Sequence, residues 1–207
     1  MSLNQPPPLR EDVAAVLDKA QQLVHWIAER QDGIEITEDN ASRVPGTLLD
    51  ICLEHHAGIV HLVTGRMSGS AFTLIRAQFE ALVRALWLHL CATPEELQTF
   101  VDKDDLRLNI GLMIEAVEKH EEFGDKVLSN IKMQGLKAMH GYTHGGMHQI
   151  SRRITGGNIE PNYAPEEIME ALKASGLFAL MSLLQIGRLA NNDKVINDVS
   201  ERLGGIA

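Results

Sequence analysis

Residues 71–92 read AFTLIRAQFEALVRALWLHLCA, and this stretch is apolar on nearly every side when it is wound into a helix. A helix that is apolar around its whole circumference is buried, whereas a surface helix carries charge on about half of it. Such a helix must be covered by amphipathic neighbours. The stretch therefore predicts the central helix of an all-α protein.

The sequence on either side supplies those neighbours. Apolar residues recur at three- and four-residue spacing over residues 9–31, and a second helix is predicted from Pro45. After the central helix, Thr93-Pro94-Glu95-Glu96 has the pattern of a capping box, and Pro165 begins another long helix. No run of alternating strand residues is present. We predict a single helical bundle of about six or seven helices over residues 1–207, with residues 1–8 as a flexible N-terminus.

Composition limits the classes of function. Hydrophobic residues make up 44% of the chain, which is enough for a full core without metal or disulfide support. The formal charge of −9 argues against a protein that coats nucleic acid, although a local cationic site remains compatible with it. The two cysteines form no CxxC pair, and no leader-like or membrane-length apolar segment stands out. We expect a cytoplasmic protein that does not enter membranes.

The charged side chains in the middle of the central helix lie in a single line along it. Arg76, Glu80 and Arg84 follow one another at four-residue steps and therefore share one face. Charges on a buried helix must be paired, because an unpaired one costs several kcal/mol. One interpretation is a structural ladder that fixes helix register. The other is a pocket wall in which one arginine keeps donors for a carboxylate or phosphate.

A second polar line lies at residues 140–152, where every fourth residue can bind protons or anions: His140, His144, His148 and Arg152. On a helix these four would share a face, although the three glycines at 141, 145 and 146 weaken a helix and allow close approach. His140 and His144 have the spacing of helical zinc ligands, but no HExxH motif and no nearby third ligand accompany them. We therefore predict no metal and no cofactor. Solvated histidines without a role are the other alternative.

The two polar lines can also act together. Glu80 accepting a hydrogen bond from a histidine would orient the ring and raise its pKa, which suits a general acid or base. The arginines would then hold an anion beside it. On this interpretation the candidate catalytic residues are His144, Glu80 and His140, and the candidate anion ligands are Arg76, Arg84 and Arg152.

Two segments carry a resemblance to a known family. SAFTLIRAQFEALVRALW at residues 70–87 and HGYTHGG at residues 140–146 resemble a group of bacterial helical proteins that is similar to the abortive-infection branch of the HEPN superfamily. The resemblance covers about residues 50–92 and 137–153. It implies a helical bundle that is often dimeric and, in some relatives, a metal-independent ribonuclease of phage defence or toxin–antitoxin pairs. The family signature, an arginine followed four to six residues later by a histidine, is matched by Arg84 and His89, which would lie about 140° apart on a regular helix.

Two functions therefore remain open. The first is a HEPN-like bacterial protein, acting as a homodimer, whose pocket between the central helix and the His140 segment binds an anionic group such as RNA phosphate. The second is a non-catalytic helical interaction or dimerisation module whose polar lines are structural ion pairs.

Overall fold

The computed structural model describes the backbone of residues 8–106 and 108–205 and, apart from residue 134 and residues 136–140, their side chains. The helices in these ranges are α1 (Glu11–Gln31), α2 (Asn40–Thr64), α3 (Ser68–Leu90), α4 (Pro94–Lys103), α5 (Ile110–Val117), α6 (Val127–Thr143), α7 (Met147–Ile150), α8 (Pro165–Leu189) and α9 (Asp193–Gly204). Single 3-10 turns occur at Glu121–Phe123 and Ser151–Arg153. A small antiparallel hairpin joins β1 (Ile154–Thr155) to β2 (Asn158–Ile159).

The predicted all-α class is confirmed, but the predicted number of helices is wrong. The described ranges contain nine α-helices rather than six or seven, and the hairpin was not predicted. The connection between α4 and α5 is also longer than predicted, since the sequence favours two helices near residues 94–102 and 104–121. Asp104 ends α4 in the left-handed region with φ 53°, and Asn109 caps a separate α5 by accepting from Gly111 N at 3.0 Å. HEPN-like architecture stays a prediction.

Helix α3 lies at the centre, as its composition predicts. It packs against α2, α5, α6 and α8. Phe79, Leu82 and Val83 are fully buried, and the Phe79 ring meets Phe178 of α8 with centroids 5.3 Å apart. Gln78 of α3 adds polar contacts, since its Nε2 donates to Cys52 O of α2 at 3.2 Å and to Ser175 O of α8 at 3.0 Å. The hydrophobic effect of covering this helix on several sides therefore organises the bundle.

Helix α2 begins earlier than Pro45 predicts. Asp39 caps it by accepting from Ser42 N at 2.9 Å, so the helix starts at Asn40 and Pro45 lies within it. Pro45 is the sixth residue of α2, beyond the first turn, so its missing N–H leaves the Ala41 carbonyl without the usual helical donor. None of the helices in residues 8–205, leaving out position 107, is both long and apolar enough to cross a membrane.

The capping box before α4 forms as the sequence predicts. Thr93 Oγ1 accepts from Glu96 N at 3.2 Å, and Glu96 Oε2 accepts from Thr93 N at 2.8 Å. This cap fixes where α4 begins. The other end of α4 forms part of one wall of the site described below.

Replacing the cap should weaken the fold measurably. We expect Thr93→Ala to lower the free energy of unfolding by about 1 kcal/mol, because it leaves an N-terminal N–H of α4 without its acceptor. Urea denaturation followed by circular dichroism would measure the change. Thr99→Ala, within the same helix but away from its cap, is the control and should change stability by less. Equal losses for the two variants would contradict a specific capping role.

Candidate functional site

The charged line on α3 forms a closed ladder. Arg76 Nε donates to Glu80 Oε1 at 2.7 Å, and Arg84 Nη2 donates to Glu80 Oε2 at 3.2 Å. Both carboxylate oxygens of Glu80 are thus bonded to arginines of the same helix, at the spacing that helical ion pairs use. The structure therefore brings together three of the predicted site residues.

A cavity of about 660 Å³ opens over this ladder. We call it the arginine groove. Its lining comes from α3, from the end of α4, from residues 104–106 and 108–109, and from α5: Arg76, Glu80, Arg84, Phe100, Asp104, Asp105, Leu106, Leu108, Asn109, Ile110 and Met113.

The two arginines of the groove differ in their surroundings. The Arg76 side chain is 24% exposed and has a further interaction besides its bond to Glu80. The Arg84 side chain is 45% exposed, and among the described residues it bonds only to Glu80, through one of its five N–H donors. Arg76 is therefore held mainly by the protein, whereas Arg84 presents donors to the groove.

The opposite wall of the groove combines acidic and apolar groups. Asp104 is exposed at the end of α4, and within the described ranges its carboxylate has no hydrogen-bond partner. Leu106, Leu108 and Met113 contribute apolar surface beside it. The groove can therefore offer a cation, a hydrogen-bond acceptor and an apolar surface to one ligand.

The histidine segment does not form one continuous helical face. Helix α6 ends at Thr143, Gly145 takes a positive φ of 65°, and Gly146 N returns to Gly141 O at 2.7 Å before α7 begins. His144 therefore lies exposed in the turn. His148 packs against Gly141, where an added Cβ would stand 3.0 Å from the His148 Cβ. The His140 side chain lies outside the described residues.

This segment meets α3 beside the groove. The Tyr142 ring packs edge-on against Phe72 with centroids 5.0 Å apart, and Thr73 Oγ1 donates to Tyr142 O at 3.2 Å. Phe72 and Thr73 precede Arg76 by about one helical turn. Among the side chains that the structure describes, the lining of the groove includes no histidine. Joint action of His144 and Glu80 at one site stays a prediction.

Arg152 has a partner on α8. Its Nε donates to Glu167 Oε2 at 2.8 Å, its Nη2 bonds to the same carboxylate, and this pairing holds the pKa of Glu167 below its usual range. Glu167 also accepts from Ala164 N at 3.1 Å at the start of α8. Arg152 thus joins the 3-10 turn before the hairpin to α8, away from the groove lining, and its role as an anion ligand stays a prediction.

Arg84 and His89, the two residues that match the HEPN-type signature, lie in different surroundings. Arg84 lines the groove, whereas His89 is half-buried near the charges of Arg188 and Glu122. Burial is the largest influence on His89, and it lowers the pKa of the ring below its ordinary value.

Most of the chain matches the model of one protein family. The model of a family of unknown function, DUF6988, matches residues 49–204 and so covers three quarters of the sequence. The chain belongs to the DUF6988 family. The matched range includes the arginine groove and the histidine segment. No curated protein and no solved structure matches this DUF6988 chain.

Over the described part of this DUF6988 chain, no group of three or more His, Cys, Asp or Glu side chains is arranged to hold a metal ion. The His140 side chain is not among those that the structure describes.

The sequence prediction missed the second wall of the groove. The signal was present: Asn109 followed by Ile110-Gly111-Leu112 has the pattern of an N-cap before a helix. Recognising it would have moved the predicted start of α5 from Asp104 to Ile110 and left residues 104–106 and 108–109 as a connection facing α3.

Proposed function

We propose that the arginine groove binds the phosphate of an RNA or ribonucleotide ligand. The observation that carries this proposal is the guanidinium of Arg84, which faces a cavity of about 660 Å³ with most of its donors unused by the described residues. A guanidinium fork matches two phosphate oxygens, and such charge-assisted bonds are about twice as strong as neutral ones.

The charge balance of the groove narrows the ligand class. Its lining contains two arginines and three carboxylates, so a bare inorganic anion is poorly matched. A ribonucleotide carries hydroxyl or amino donors for Asp104 and an aromatic base for the apolar wall, together with a phosphate for Arg84. The overall charge of −9 is compatible with such a local site, but not with broad coating of nucleic acid.

The resemblance to HEPN ribonucleases extends the proposal to RNA cleavage by a homodimer. In metal-independent cleavage, a base takes the proton of the 2′-hydroxyl, that oxygen attacks the adjacent phosphorus, and an acid protonates the departing 5′-oxygen. His144 is our candidate acid or base, since it is exposed close to the Phe72 end of α3. Glu80 and His140 complete the candidate set.

Binding should depend on Arg84. We expect Arg84→Ala to weaken the affinity for a labelled single-stranded RNA about tenfold or more, because charge-assisted bonds to phosphate are lost. Fluorescence anisotropy at fixed low salt would measure the affinity. Arg153→Ala removes an exposed arginine outside the groove and is the matched control. Similar affinities for wild type, Arg84→Ala and Arg153→Ala would refute the proposal.

Arg76 should instead matter for stability. We expect Arg76→Ala to lower the free energy of unfolding by about 1 kcal/mol, because a half-buried Glu80 keeps only one partner. Arg84→Ala should cost less, since that side chain is more exposed. Thermal unfolding of both variants tests the difference, and a larger loss for Arg84→Ala would contradict this division of roles.

A non-catalytic interaction module is the second candidate. It is favoured by the closed ladder, in which both oxygens of Glu80 are taken by arginines of the same helix. If the wild-type chain binds no RNA yet sediments as a stable dimer, this candidate replaces the first.

A further inference from the structure

Two side chains of the arginine groove have hydrogen-bonding atoms that the described part of the protein does not use. Asp104 ends α4 and Asn109 caps α5, so they stand at the two ends of the connection between these helices. Both side chains are exposed, and both line the groove together with Arg84. Their free atoms determine which groups of a ligand, besides its phosphate, can be recognised.

Asp104 offers a pair of hydrogen-bond acceptors. Its backbone N donates to Phe100 O at 2.8 Å, which holds the residue at the C-terminal end of α4. Neither carboxylate oxygen is bonded to a residue that the structure describes. The carbonyl groups at the end of a helix add partial negative charge to this corner. The corner therefore attracts donors and repels a phosphate, which leaves the phosphate to Arg84.

Asn109 offers hydrogen-bond donors. Its Oδ1 accepts from Gly111 N at 3.0 Å and from Leu112 N at 3.1 Å. This cap fixes the orientation of the amide, because a flipped amide would turn its donors towards two backbone donors. The Nδ2 group is thus the end of the side chain that is left for a ligand.

Two acceptors and a separate donor match the Watson–Crick edge of guanine. That edge presents the O6 acceptor, the N1–H donor and an amino donor in this order, and the two adjacent donors fit the two oxygens of one carboxylate. Adenine and cytosine each present a single amino donor beside a ring acceptor, and uracil presents one N–H between two carbonyls. Unpaired bases are read through these edges. An unbonded carboxylate therefore favours guanine over the other three bases.

We infer that the arginine groove selects guanosine nucleotides, an inference that rests on the phosphate site proposed above. Asp104 accepts from the N1–H and amino groups of guanine, Asn109 Nδ2 donates to O6, and Arg84 binds the phosphate. Leu106 and Leu108 provide apolar surface for the base. The cavity of about 660 Å³ lies within the range of roughly 300–1,000 Å³ that is usual for small-molecule sites.

Three nucleotides test the inference on the wild-type chain. Isothermal titration calorimetry would compare guanosine, inosine and adenosine 5′-monophosphates, since inosine keeps O6 and N1–H but lacks the amino group. We expect the guanosine nucleotide to bind about tenfold more tightly than the adenosine nucleotide, with inosine between them. Equal affinities would overturn guanine selection and leave the phosphate site standing. Binding of none of the three would refute the phosphate site as well.

A variant of Asp104 tests which residue makes the selection. We expect Asp104→Asn to reduce the guanosine-to-adenosine affinity ratio from about ten towards one, because one of the two acceptors becomes a donor. The ratio cancels the change in net charge, which affects all three nucleotides alike. Asparagine also tolerates the left-handed backbone conformation, so the fold should be retained. Asp102→Asn removes an exposed carboxylate of α4 outside the groove lining and should keep the ratio. An unchanged ratio in Asp104→Asn would overturn the inference.

Discussion

Phe79→Ala is expected to lower the free energy of unfolding by about 3–5 kcal/mol, the largest loss that we predict for a single substitution. The Phe79 ring is completely buried at the middle of α3 and packs against Phe178 of α8. Removing it takes away apolar burial and leaves a cavity that surrounding helices fill only in part. Because whole domains are stable by only about 5–15 kcal/mol, this change alone brings the fold close to failure.

Phe100→Ala is the matched control for this substitution. It removes the same atoms from a side chain that is only partly buried, at the edge of the arginine groove. We expect a clearly smaller loss, measured by urea denaturation under identical conditions. Equal losses would mean that α3 is not the centre of the core.

Acidification should destabilise the protein through His56. Burial alone lowers the pKa of this ring from 6.5 to about 4, and the ring is 1% exposed. The folded state therefore holds His56 neutral, whereas the unfolded chain takes up a proton below about pH 6.5. The stabilising contribution is fully present above that pH and is lost as pH falls from 6.5 towards 4. This difference between the pKa values of His56 in the unfolded and folded states corresponds to a loss of about 3 kcal/mol in the free energy of unfolding once the pH is below about 4.

Comparison with His56→Gln isolates this effect from other acid-sensitive groups. Hydrogen bonds also lower the pKa values of Asp39 and Glu167 in the folded state. The stability that these carboxylates contribute is therefore lost as the pH falls and they become protonated. We therefore expect both proteins to lose stability on acidification, but the variant less steeply between pH 6.5 and 4. Parallel curves of unfolding free energy against pH would show that His56 does not contribute.

The sequence alone predicted the features that depend on apolar character, on capping or on spacing along one helix. The apolar character of residues 71–92 predicted the central helix, and the Thr93 box predicted the start of α4. The four-residue spacing of Arg76, Glu80 and Arg84 predicted their pairing, because that spacing brings side chains together on any regular helix.

Other features depend on contacts or conformations that spacing does not encode. Asp104 adopts a left-handed conformation that non-glycine residues rarely take, so the sequence predicted a second helix from Asp104, whereas α5 begins only at Ile110. The Asp39 cap likewise begins α2 ahead of Pro45. As a result, the wall that faces Arg84 was not predicted, although Arg84 itself was.

The close contact between Gly141 and Gly146 has a consequence for divergence within DUF6988. A methyl group on Gly146 would stand 3.1 Å from the Gly141 Cα, and one on Gly141 would meet His148 at 3.0 Å. A side chain at either position would therefore have to shift its neighbour by a few tenths of an ångström, the His148 side chain in one case and the Gly141 backbone in the other. Relatives that retain the imidazoles at 144 and 148 in this arrangement should also retain both glycines, and lineages that lose one glycine should show relaxed selection on the pair of histidines.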